Sequence, residues 1–318
     1  MFQIASYDFD ASILDTYSTL ISGGCVCIPD EEERLGNLSS AITTSMANCV
    51  FLTPSVAETL SPSSVPSLQV MALSGENLRA EVALRWLGKV SMLANWYGPA
   101  EAPAAIISII DHISWASDTI GLSWGGVAWV VSPNDPDILL PIGAIGELVM
   151  EGPIIADGYI GVEPSIPKKS FVTPRWLHPG HPYHCSRQSR RVYRTGDLVR
   201  YNSDGTLMFL GRKDSQVKIR GQRVEIGEIE HYIQRFLGDQ TPGTSAIADV
   251  IAPKGSGDCT LVVFLSIGEK ANGSVEAARI DLQQRIHGLN ESLRTQLPRY
   301  MVPSYYIPVA QIPMTATG

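Results

Sequence analysis

Cysteine is scarce in this chain and odd in number. Five residues (Cys25, Cys27, Cys49, Cys185 and Cys259) are scattered through 318 positions. Such a set implies no disulfide framework, so a reducing, cytoplasmic setting is expected. Long apolar runs are missing too. None approaches the ~18 residues a membrane span requires, so no membrane partner is expected. The opening "MFQIASYDFD" has no basic region leading into an apolar core, so no secretory signal is expected. Positive charge is in short supply, with 24 Lys and Arg against 32 Asp and Glu, a formal net charge of −8. That balance argues against a nucleic-acid partner, which would favour a basic face. There is no internal repeat and no extended low-complexity tract.

What is present is ordinary for a globular protein: 44% hydrophobic and 18% charged residues. The length suggests about two domains. Residues 16–30 read as a helix end, a Gly-Gly turn and a short buried strand. Residues 49–60 read as a strand and then a helix that Thr53 or Ser55 could cap. Residues 67–78 read as a buried strand running into a Ser-Gly turn, and 82–101 as helix, strand and tight loop. Strands alternating with helices predict an α/β layer over 1–115 with a largely parallel sheet. From 116 to 213 the pattern becomes short strands between Gly, Pro, Asn and Asp turns, a β-rich subdomain. Asp204-Gly205 marks a hairpin within it, and 162–192 reads as an inserted polar loop. Residues 214–318 predict a small α+β lobe with strands near 246–251 and 260–267 and a long helix at 277–296. Leu282, Ile286, Leu289, Leu293 and Leu297 give that helix one apolar face.

The stretch "GRKDSQVKIRGQRVEIGEIE" (211–230) carries nine charges in twenty residues. Val217 and Ile219 alternate in one phase, and Val224 and Ile226 in the other. A strand, a turn at Arg220-Gly221-Gln222 and a second strand fit that flip. Ile226, Ile229, Ile233 and Leu237 then switch to helical spacing. On charge alone this is a solvated edge that resists aggregation. Arg223 and Glu225 read as a supporting cross-strand pair or network.

Seven stretches in this order resemble the adenylation domain of a nonribosomal peptide synthetase: "DFDASILD" (8–15), "LSGENL" (73–78), "NWYGPAE" (95–101), "GELVMEGPIIADGYIG" (146–161), "YRTGDLVRY" (193–201), "GRKDSQVKIRGQRVEIGEIE" (211–230) and "LPRYMVP" (297–303). The wording is similar to fungal members of the acyl-adenylate-forming superfamily. The resemblance implies that superfamily's fold, N-terminally incomplete. It also implies ATP-dependent activation of an amino acid as an aminoacyl-adenylate, followed by transfer to the phosphopantetheine thiol of a carrier domain. ATP and Mg2+ are the expected cofactors. The expected partners are an amino-acid substrate, a peptidyl carrier domain and neighbouring synthetase domains.

Residue by residue, the resemblance puts nucleotide contacts at Ser74, Gly75, Glu76, Asn77, Asn95, Tyr97, Gly98, Ala100, Asp197 and Arg212. Tyr97 offers a face for adenine. Gly98 and Pro99 form a tight turn at the nucleotide. Asp197 has the two acceptor oxygens a ribose diol needs, and Arg212 would approach the same sugar. Glu101 supplies a hard oxygen for magnesium. The family usually has Thr where Ala100 stands, and losing one phosphate hydrogen bond costs on the order of 1 kcal/mol. Asp10 matches the carboxylate that binds the substrate's α-ammonium. Ala11, Leu14, Phe51, Ala72, Ser74, Trp96, Ala104 and Ala105 match the remaining pocket, a mostly apolar set that favours an apolar or aromatic side chain. Asp214 matches the hinge about which the small lobe rotates between the two half-reactions. Lys218 and Gly221 match the pantetheine-facing positions, and Lys218 is counted with Glu101 as catalytic.

Two elements of the family pattern have no match. The Ser/Thr/Gly-rich phosphate loop lacks an equivalent before "DFDAS"; "TPGTS" (241–245) is similar in composition but sits in the wrong lobe. The terminal motif's catalytic Lys would follow Gly318. The sequence therefore resembles the latter part of an adenylation domain, expected to bind nucleotide weakly and adenylate poorly. Three other readings stand beside this one. One is an acyl- or aryl-CoA synthetase of the same superfamily, against which Asp10 and "QVKIRGQRVE" weigh. Another is a non-catalytic carrier-docking fragment. The last is metal binding by "HPGHPYHC" (178–185), whose spacing is not a standard zinc pattern.

Overall fold

Short apolar runs punctuated by turn residues give the first part of the chain its sheet. The computed structural model describes residues 1–111, 115–161, 170–178, 191–213, 216–219, 222–240, 245–251, 259–266, 283, 286 and 288–309. Two compact units divide the chain, Met1–Asp214 and Ser215–Gly318.

In the first unit, α1 (Asp10–Ile21), α2 (Glu31–Gly36) and α3 (Leu38–Thr44) precede β1 (Cys49–Leu52). A short α4 (Pro54–Thr59) follows; the Thr53 hydroxyl accepts its cap bond from the Val56 amide, and Pro54 opens it with a preset φ. β2 (Val70–Ser74), α5 (Ala80–Trp86) and β3 (Met92–Tyr97) complete a three-stranded parallel layer. β4 (Ile106–Ile109) and β5 (Thr119–Ser123) then run antiparallel. β6 (Val127–Val131), β7 (Gly146–Glu151), β8 (Phe171–Val172), β9 (Val192–Tyr201) and β10 (Leu207–Arg212) are all antiparallel. The strand path β1-β2-β3-β4-β5-β10-β9-β7-β6 is continuous, with β8 on β9, in one ten-stranded sheet. The hairpin between β9 and β10 turns at Gly205, whose φ of 84° suits glycine.

Three hydrophobic clusters flank this path among the described residues, the smallest formed by Val131, Val149, Trp176, Leu177 and Val192. Phe2, Ile42, Val50, Met71, Leu73, Trp86 and Leu93 pack around the parallel layer. Ile106, Leu148, Met150, Tyr193, Val199 and Leu207 pack among the antiparallel strands. Burying each such side chain is worth about 1.5–3 kcal/mol. The strand expected near Cys25–Ile28 does not form. Cys27 makes one isolated bridge to Phe2, because the Gly-Gly turn and Pro29 leave too few residues for a ladder.

In the second unit, β11 (Gln216–Ile219) and β12 (Gln222–Glu225) pair antiparallel, and α6 (Ile226–Gln240) follows directly. β13 (Ser245–Ile251) and β14 (Thr260–Ser266) are antiparallel, and β15 (Tyr305–Val309) adds in parallel at the edge. β15 was not expected from sequence; Pro308 lies inside it, which only an edge strand tolerates. The helix predicted over 277–296 is interrupted at Gly288: Gln283 before it is helical and α7 (Leu289–Gln296) follows it, while Gly288 at the α7 N-cap holds a left-handed φ of 78° that a helix cannot pass through. Leu289, Leu293 and Leu297 are buried with Ile229, Ile233 and Leu237 of α6, while Leu282 lies outside the described residues. The register Lys218↔Arg223 and Gln216↔Glu225 corrects the pairing of Arg223 with Glu225. Both sit on β12, two apart, because Ile219↔Gln222 closes the hairpin over two residues.

Among the described residues no helix is long and apolar enough to cross a membrane.

Candidate functional site

The carboxyl ends of β1, β2 and β3 carry the residues expected to form a substrate pocket. Phe51 pairs with Ala72, and Ser74 with Trp96. Residues opposite one another, or two apart, share a sheet face, so these four side chains project together. The Phe51 and Trp96 rings meet edge to face, with centroids 5.5 Å apart at 81°. Ligands of open α/β sheets gather at such strand ends. Asp10, Ala11 and Leu14 lie on α1, half-buried. The Asp10 carboxylate accepts the Ala11 amide at 2.9 Å. Ala105 is fully buried in the core cluster that holds Ala102 and Ile106. Ala104 holds a φ of 49°, a left-handed conformation uncommon for alanine.

The turn after β2 is built on Gly75, whose φ is 88°. Glu76 then reaches back to α4, accepting the Ser55 amide at 2.9 Å and the Ser55 hydroxyl at 2.8 Å. Asn77 is exposed and Asn95 buried. Gly98 is required by its own loop: a Cβ there would lie 2.6 Å from the Ala104 nitrogen and 2.7 Å from the Ala102 carbonyl. Ala100 is exposed at the tip.

The chain brings Tyr97, Asp197 and Arg212 into direct contact. The Tyr97 hydroxyl donates to Asp197 Oδ2. Arg212 Nη1 donates to Asp197 Oδ1 at 2.8 Å and to the Thr195 carbonyl at 3.0 Å. Burial, and then the negative Asp197, push the Tyr97 hydroxyl well above its ordinary pKa, so it stays a donor. The Tyr97 ring also packs on the antiparallel core. Glu101, four residues along, is buried. Its Oε1 accepts the Tyr159 hydroxyl at 2.6 Å, and its backbone carbonyl accepts the Ala156 amide at 2.9 Å. Burial first, then Glu101, raise the Tyr159 hydroxyl. A single buried carboxylate fits the way magnesium is held, by one or two carboxylates plus substrate phosphates.

Asp214 and Gly221 lie outside the described residues, and Lys218 is placed only as the β11 residue opposite Arg223. Of "HPGHPYHC", only His178 is described. Sequence reasoning missed Tyr159 and Glu147. Glu147 had a legible signal: an acidic residue inside "GELVME", a strand buried at every position.

Comparison with known proteins identifies the family to which this fold belongs. The chain belongs to the AMP-binding enzyme family, whose model matches residues 1–160. Over 319 residues it is 43% identical to nonribosomal peptide synthetase ungA′ of Aspergillus campestris, covering 100% of this chain and 3% of that synthetase. Among solved structures it is similar to the Vibrio cholerae adenylation domain AlmE, determined in complex with glycyl-adenosine-5′-phosphate. The TM-score there is 0.74 with 26% identity, over 98% of this chain and 56% of that one. It is also similar to holo-PA1221, a synthetase protein containing adenylation and PCP domains bound to a vinylsulfonamide inhibitor (TM-score 0.74, 25% identity, 100% and 51% coverage). The chain thus spans a small part of its curated relative and about half of each of these two solved chains.

Proposed function

We propose that this chain is part of a nonribosomal peptide synthetase adenylation domain that activates an α-amino acid with ATP and passes the aminoacyl group to a carrier-domain thiol. The observation that carries the reading is the Tyr97–Asp197–Arg212 cluster. Each Asp197 oxygen has two lone pairs, so the carboxylate can accept a ribose diol while keeping Tyr97 and Arg212. Arg212 fixes its charge and angle, and Tyr97 closes the other side. Glu101 would hold magnesium, which when bound offsets phosphate charge; Tyr159 fixes the rotamer of that carboxylate. Asp10 would bind the α-ammonium at the start of α1, and Phe51, Ala72 and Trp96 would line an apolar pocket for the side chain. Asp214, Lys218 and Gly221 would serve the second half-reaction as hinge and pantetheine-facing positions.

Calorimetric titration with aminoacyl-sulfamoyl-adenosines tests the reading. An analogue carrying an apolar amino acid should bind. Deleting its α-amino group should weaken binding about tenfold or more, as expected for a charge-assisted bond, and Asp10→Ala should erase that difference. Equal binding of fatty-acyl or aryl sulfamoyl-adenosines would favour the CoA-synthetase reading instead.

A further inference from the structure

We propose that Glu147, with Arg194 and Lys213, is a positioning group that aims Asp197 at the ribose; this rests on the ribose reading of Asp197 given above. Register explains why such a group is needed. Along β7 and β9, Glu147 pairs with Leu198 and Val149 with Arg194. One residue of β7, Leu148, therefore faces three of β9: Thr195, Gly196 and Asp197. The excess forms a bulge in β9, with Gly196 at a φ of 76°. A bulge forfeits ladder hydrogen bonds and re-aims the side chain beside it.

Side chains replace the lost ladder. Glu147 Oε1 accepts the Gly196 amide at 3.3 Å. The Thr195 hydroxyl donates to the Leu148 carbonyl at 2.8 Å and accepts the Asp197 amide at 3.1 Å. Just past β10, the Lys213 amide donates to the Gly196 carbonyl at 3.0 Å. Both peptide groups flanking Gly196 are therefore tied, one through a carboxylate that is itself 1% exposed.

A buried carboxylate needs compensation. Arg194 Nε lies 3.2 Å from each Glu147 oxygen, and Lys213 Nζ donates to Oε2 at 2.6 Å. Both cations are held in turn by the Pro133 carbonyl, at 3.1 and 3.4 Å. Lys213 directly follows Arg212, the Asp197 partner. Glu147 thus fixes the backbone beside Asp197 on one strand and the residue beside Arg212 on the next. It touches no nucleotide contact itself.

The test uses the whole chain, AMP and 2′,3′-dideoxyadenosine monophosphate. Unmodified protein should prefer AMP, because only AMP offers the diol. Glu147→Gln keeps shape but removes the charge, and should narrow that preference by about tenfold, the worth of one hydrogen bond to a charged group. Lys213→Met should narrow it less. Amide hydrogen exchange at Gly196 and Asp197 should speed up in both variants. A variant that weakens both nucleotides equally, with the preference intact, would show a merely structural role and overturn the proposal, as would unchanged exchange at Gly196. If Glu147→Gln does not fold, Lys213→Met carries both measurements. If unmodified protein shows no preference for AMP, the ribose reading fails, and the exchange rates at Gly196 still decide whether Glu147 holds the bulge.

Discussion

Asp15 is a buried carboxyl with a cost to the first unit. It points into the fold from α1, 1% exposed, and neither carboxylate oxygen has a hydrogen-bond partner among the described residues. Desolvation raises its pKa to about 7, against a smaller opposing pull from the N-terminal ammonium. The folded state therefore holds a proton that the unfolded chain releases near pH 4. Stability from this group is fully present below pH 4 and declines as pH rises, until the loss is complete just above pH 7. Each pKa unit corresponds to about 1.4 kcal/mol, so the loss is about 4 kcal/mol. Denaturant unfolding of Asp15→Asn and of the unmodified chain should therefore diverge between pH 4 and 7, with the Asn variant more stable at pH 7. Parallel pH profiles would show that Asp15 finds a partner in solution. Nothing in the sequence marked this residue; in "DASILD" it reads as one more surface acid. Asp197 and Arg212 were legible because their neighbours form long motifs. The Tyr97 hydroxyl bond to Asp197 was not, since it joins residues 100 positions apart.

At the level of elements, α1 is inside out. Its buried positions are Ser12 and Asp15, while Ile13, Tyr17, Leu20 and Ile21 are exposed. Exposed apolar groups clustered on one helix face favour association. The double substitution Ile13→Glu with Leu20→Lys should leave the melting temperature nearly unchanged, since surface changes stay within about 0.5 kcal/mol. It should also reduce binding of a hydrophobic dye and self-association in sedimentation. A large drop in melting temperature would mean that these side chains are packed. Other elements were read well where periodicity was strong: the two hairpins and the Ile229–Ile233–Leu237 stripe of α6. Reading failed where one residue overrode a pattern, as Gly288 does before α7 and Pro308 does in β15. The pairing of Lys218 with Arg223 depended on a turn length that charge could not reveal.

For the whole molecule, the sequence suggested an α/β layer followed by a β-rich region, and each stretch showed its own texture. How they join was not legible, because the joint depends on an atom that is missing. β5 meets β4 at only Ile106↔Ser123 and Ile107↔Leu122, and meets β10 at Leu207↔Gly121 and Met208↔Thr119. Gly121 holds a φ of 107°, and a Cβ there would fall 2.1 Å from the Ile107 carbonyl oxygen. Gly121→Ala should therefore destabilise the chain by more than the ~1 kcal/mol typical of a point substitution, read as a lower denaturant midpoint. A midpoint within error of the unmodified chain would mean that β5 shifts freely to accommodate it.

Phe51 and Trp96 stand on one side of that splice, and Asp197 and Arg212 on the other. Two rungs of ladder, the Tyr97–Asp197 bond and the Glu101 bonds to Tyr159 and Ala156 set the machining tolerance between them. Small errors of alignment at Gly121 would be felt as poor fit by any molecule long enough to touch both sides at once.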